Sequence, residues 1–101
     1  LTIGEGWYRD TVAHWKRILE LEPDNVEAKD ALAQAYIERH QHRWFAPENS
    51  IAYYEQALAD LPDHPALLVA LARVYERIEG EEEKAVATLL RAHRAAPTDS
   101  H

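Results

Sequence analysis

Ser50-Ile51-Ala52-Tyr53-Tyr54-Glu55-Gln56-Ala57-Leu58-Ala59-Asp60-Leu61-Pro62 is the stretch on which the fold turns. Ile51, Tyr54, Leu58 and Leu61 follow one another at three, four and three residues, the interval that returns side chains to one side of an α-helix. Ala46-Pro47 leads in and Pro62 closes, as suits a ring that is tolerated in a first turn but not in a helix interior. Within this stretch Ser50, Tyr54, Ala57 and Pro62 are separated by four, three and five positions. The same separations occur at Thr11, Trp15, Ile18 and Pro23, and again at Ala85, Leu89, Ala92 and Pro97. Between these copies lies a second pattern: Lys29, Leu32, Ala33 and Tyr36 match Leu68, Leu71, Ala72 and Tyr75 at three, one and three. Two kinds of helix therefore alternate, which is the mark of a helical repeat.

Working outward, Tyr8, Val12, Trp15 and Leu19 form the stripe of a first helix that Pro23 ends. Ala28, Leu32, Ala35 and Tyr36 form the next, and Asp24 three residues before Glu27 reads as a capping box at its start. Leu68, Leu71, Tyr75 and Ile78 form a fourth stripe, with Pro65 suited to the first turn and Gly80 just past the end. Val86, Leu89, Leu90 and His93 are read as the apolar stripe of the fifth helix. Glu81, Glu82 and Glu83 in its first turn and Arg91 and Arg94 in its last complement the helix dipole. Pro97 ends it, and residues 98–101 are expected to fray. No segment alternates apolar and polar residues, so the expected fold is all-α, five helices in antiparallel pairs.

Composition bounds the function. The 101 residues fit one domain, 1–101, with 47% hydrophobic and 29% charged residues, a soluble globular balance. No apolar run approaches the length of a membrane span, so membrane insertion is not expected. The 18 acidic and 11 basic residues leave a net charge of −7, a field that repels a phosphate backbone and argues against nucleic acid. Cysteine is absent, which excludes disulfides, thiolate zinc sites and a cysteine nucleophile without fixing the compartment. Leu1 to Gly6 carry no signal-peptide pattern. A start at Leu rather than Met reads as a trimmed piece of a larger protein, cytoplasmic or exported.

Chemistry finds little purchase. The serines are Ser50, at a helix start, and Ser100, in the tail, and no nucleophile elbow or phosphate-binding glycine loop occurs. The six histidines lack metal-ligand spacing: His40 and His42 are two apart, and His14, His64 and His93 are isolated. No catalytic residue, metal or cofactor is expected.

These patterns resemble the tetratricopeptide repeat family, whose unit of about 34 residues reads W-x2-L-G-x2-Y, then A-x3-F and a closing proline. Leu32-Ala33 with Tyr36, and Leu71-Ala72 with Tyr75, resemble the first-helix half. Tyr54 and Leu89 stand where the second helix carries its aromatic residue, and residues 19–25 and 57–63 resemble the turn between repeats. The family's Trp is replaced by Lys29 and Leu68, and a small Ala by Thr11 and Ser50. Pro23 to Pro62 is 39 residues and Pro62 to Pro97 is 35, so the first full repeat holds five extra residues, within 40–47. The resemblance implies about two and a half repeats: 1–23 as a lone second helix, 24–62 and 63–97 as full units.

It also implies a function: a protein-interaction scaffold whose first helices line a concave face that takes a protein or peptide segment. The candidate groove residues are Glu27, Asp30, Gln34, Ile37 and Glu38 in one repeat and Val69, Arg73 and Arg77 in the next. A ligand basic toward one end, acidic toward the other and apolar between would match them. Asp30, Ala31, Gln34, Ala66 and Ala70 stand where chaperone-tail binders of this family carry Lys, Asn and Arg; none of them is a cation here, so that specificity is not expected. Arg43, Trp44 and Phe45 in the insertion read in two ways, as a contact lip rich in interface residues or as a continued helix stripe. At the open N-terminal end, Trp7, Tyr8, Val12 and Trp15 form an apolar patch that invites self-association. The alternative function is a structural or self-associating segment of a larger helical-repeat assembly.

Overall fold

The computed structural model describes residues 4–41 and 46–95. Among them are five α-helices: α1 (Gly4–Leu21), α2 (Val26–Gln41), α3 (Pro47–Asp60), α4 (Pro65–Glu76) and α5 (Glu82–Ala95). The chain divides into two compact units, Leu1–Arg43 and Trp44–His101, with the division inside the stretch that holds the extra residues.

In the first unit α1 packs on α2 through a four-residue turn, so the two run antiparallel. Pro23 sits in that turn, as its missing N–H requires. The start of α2 differs from the capping box expected at Asp24 and Glu27. Asn25 is the cap instead: its Oδ1 accepts from the Ala28 N–H at 2.9 Å, and its Nδ2 donates to Glu22 Oε1 at 2.7 Å. The Asn side chain satisfies an otherwise orphaned helix donor and ties the turn to the end of α1. Ala28, Leu32, Ala33, Ala35 and Tyr36 are buried, as the sequence stripe predicts. Tyr8 of α1 lies against Tyr36 at 6.2 Å between ring centroids, and the Arg39 guanidinium stands 4.5 Å over the Tyr8 ring.

In the second unit α4 is the central element, packed on α3 and, more extensively, on α5. Pro47 and Pro65 both occupy the opening turn of their helices. His64 caps α4, its Nδ1 accepting from the Ala66 N–H at 3.2 Å, a task the sequence did not reveal for an isolated histidine. Asp63, beside it, has φ 57° in the left-handed region and accepts from Arg91 of α5 at 2.7 Å. That ion pair is exposed on both sides, so it fixes the turn's geometry more than it adds stability. α4 ends at Glu76, short of Ile78. The N–H groups of Arg77 and Ile78 donate to Val74 and Tyr75 in a tightened last turn, and Gly80 supplies φ 91° for the reversal into α5.

The core follows from α4. Leu67, Leu68, Leu71, Ala72 and Val74 are all buried because neighbours cover it on two sides. Across α3 these are met by Ser50, Tyr54 and Ala57. Across α5 the expectation fails in an instructive way. The buried residues there are Ala85, Thr88 and Ala92, whereas Val86, Leu89 and Leu90 are 58%, 38% and 49% exposed and His93 is exposed. Small side chains at 85, 88 and 92 let α5 approach α4 closely, and the larger apolar stripe is left turned outward.

Candidate functional site

The first-type helices α2 and α4 hold the groove residues read from the sequence. On α2, Glu27, Asp30, Gln34 and Glu38 follow at three, four and four residues and so share one side, opposite the buried stripe. Glu27, Asp30 and Gln34 are exposed; Ile37 and Glu38 are half-buried. Gln34 Nε2 donates to Glu38 Oε2 at 3.4 Å, a long bond that biases both side chains to lie along the helix. The result is an outward side carrying carboxylates and an amide above a rigid apolar base.

On α4, Val69 is half-buried and Arg73 exposed, four residues apart and hence on one side of the helix. Arg77 is exposed too, but it lies one residue past the helix end, as its C-cap. Its charge acts on Tyr54 of α3. Burial drives the Tyr54 phenol up to about 12, and the Arg77 guanidinium opposes that rise by favouring the phenolate. Arg77 thus adds its charge at the end of α4, and Arg73 is the arginine that shares one side of α4 with Val69.

The contact-lip candidates Arg43, Trp44 and Phe45 lie outside the described residues. At the N-terminal end Trp7 is 40% exposed, while Tyr8, Val12 and Trp15 are half-buried. Tyr8 is engaged with Tyr36 and Arg39, and Trp15 with His14 at 4.9 Å between ring centroids. Among the described residues no group of three or more His, Cys, Asp or Glu is arranged to hold a metal ion. Among them, too, no helix is long and apolar enough to cross a membrane.

The sequence reading missed the outward side of α5. Glu82, Glu83, Val86, Ala87 and Leu90 line a shallow, open apolar depression there. A signal for it was present in the repeat register. Leu89 is the counterpart of Tyr54, which is 2% exposed with α4 packed on its helix, while Leu89 itself stays 38% exposed.

Alternating helices of two types, with small residues buried between neighbours inside each unit, define an all-α helical-repeat protein. Residues 46–101, more than half of the chain, match the family model described as tetratricopeptide repeat, and the chain belongs to that family. No curated protein and no solved structure matches the chain. Repeats of this family generally mediate protein–protein interaction and are typically non-enzymatic scaffolds.

Proposed function

We propose that this chain is a non-catalytic scaffold that takes protein or peptide segments on the outward sides of its first-type helices, α2 of repeat 24–62 and α4 of repeat 63–97, each surface acting by itself. The observation that carries the reading is the exposure of Glu27, Asp30 and Gln34 on a helix whose opposite side is fully consumed by packing. Their side chains have no core to fill, and the helix beneath them is held by buried Leu32, Ala33 and Tyr36. Such a surface is preorganised, so ordering cost falls on the ligand. The carboxylates of α2 select a basic segment. Val69 and Arg73 on α4 select an apolar residue beside a carboxylate. Exposed charges of this kind set orientation and on-rate more than affinity, so binding weakens as salt rises.

A peptide-display screen on the whole chain tests this, run on the natural sequence, on Asp30→Lys and on Arg73→Glu. The first substitution should abolish the preference for basic residues, and the second the preference for acidic ones. Selected peptides indifferent to both substitutions would refute the assignment of α2 and α4 as the binding surface.

A further inference from the structure

Four features of α5 stand together. Glu83, Ala87, Leu90 and Arg94 lie four, three and four residues apart, which places them on one stripe, with Val86 at its border. All five are exposed, and the buried stripe of Ala85, Thr88 and Ala92 is on the other side of the helix. The middle of the exposed stripe is the shallow apolar depression of Val86, Ala87 and Leu90. Its ends carry opposite charge: Glu82 and Glu83 in the first turn, Arg94 in the last. Arg91 is already committed to Asp63 at 2.7 Å, which leaves Arg94 as the arginine of the last turn on this stripe.

The stripe is symmetric in a way that specifies its occupant. Glu83 and Arg94 lie at equal distance on either side of the midpoint between Thr88 and Leu89, about 8 Å each at the helical rise. Rotating a second copy by a half-turn about that midpoint brings the two helices antiparallel. Glu83 then meets Arg94 of the second copy, twice. Ala87 meets Leu90 of the second copy, also twice, with Val86 one residue off that pairing beside it, and the two helix dipoles oppose. A parallel arrangement would instead set Glu82 and Glu83 against their own counterparts. We propose that α5 is a self-complementary surface through which two copies of this chain pair, two-fold and antiparallel. A 14-residue helix offers less area than a standard interface, so the pair is transient, formed at high protein concentration.

The test is sedimentation velocity on the whole chain from low micromolar to near-millimolar concentration. The natural sequence should shift from monomer to dimer. Leu90→Glu should weaken the dimer at least about tenfold, without loss of helicity, because Leu90 is half exposed in the monomer. Glu83→Arg and Arg94→Glu should each abolish pairing alone, and the double exchange in one chain should restore it. Mixing the two single variants should give a heterodimer, since each then meets its opposite. A chain that stays monomeric throughout overturns the proposal. So does a dimer indifferent to Leu90→Glu but lost in Trp7→Glu, which would place pairing on α1. Failure of the double exchange to restore pairing overturns the antiparallel arrangement.

Discussion

Replacing Leu68 and Leu90 by Ala, one at a time, separates the two sides of the second unit. Each substitution removes the same three carbons, so the difference between them is environment alone. Leu68 is 0% exposed on α4, which both α3 and α5 cover. Its loss combines the full transfer term with an enclosed void, about 2–5 kcal/mol. Leu90 is 49% exposed on the outer side of α5. Half of its transfer term is already forfeited in the native state and no cavity forms, so its loss costs about 1 kcal/mol or less. Against a total stability of about 5–15 kcal/mol, the first substitution is a large fraction and the second a small one. Urea denaturation followed by far-ultraviolet circular dichroism measures both, at low concentration so that pairing does not contribute. The Leu68→Ala midpoint should fall clearly and the Leu90→Ala midpoint only slightly. Equal losses would refute the orientation of α5, because Leu90 would then belong to the core in place of Ala85, Thr88 and Ala92.

Three further outcomes follow from the same geometry. Asn25→Ala should cost about 1 kcal/mol in a thermal melt through loss of the cap to Ala28, while Asp24→Ala stays within about 0.5 kcal/mol. Ala72→Leu and Ala57→Leu, at positions 0% and 3% exposed, should each cost about 1–3 kcal/mol by overpacking, and melts unchanged in both would contradict the repeat register. Tyr54 ties stability to alkaline pH: its phenol is raised from 10.0 to about 12 by burial, so the unfolded chain loses that proton before the native one does. The stabilisation is present in full below pH 10 and declines as pH rises toward 12, and Tyr54→Phe should remove this part of the decline in denaturation curves across that range.

What the sequence by itself determined is local and periodic. Five stripes at helical spacing, prolines in first turns or in the connections, and the recurrence of Tyr54-type and Leu32-type patterns were enough for five helices and for the family. These features depend on backbone geometry within a few residues, so no knowledge of neighbours was required. The exposed carboxylates of α2 were legible for the same reason, because a helix with one buried stripe leaves its opposite side outward. Caps were less legible. Asp24, Asn25 and His64 are each able to cap, and the choice of Asn25 and His64 depended on turn conformation, which a spacing rule does not contain. Arg77 read as a groove candidate beside Arg73, whereas the early end of α4 sets it at the cap, where its charge bears on Tyr54. The orientation of α5 was decided only by tertiary structure. Its sequence offers two stripes, a bulky one at Val86, Leu89 and Leu90 and a small one at Ala85, Thr88 and Ala92. Hydrophobicity favours the first. Close approach to a helix already filled with Leu67, Leu68 and Leu71 requires the second, and packing density prevails over the apolar area of any one stripe.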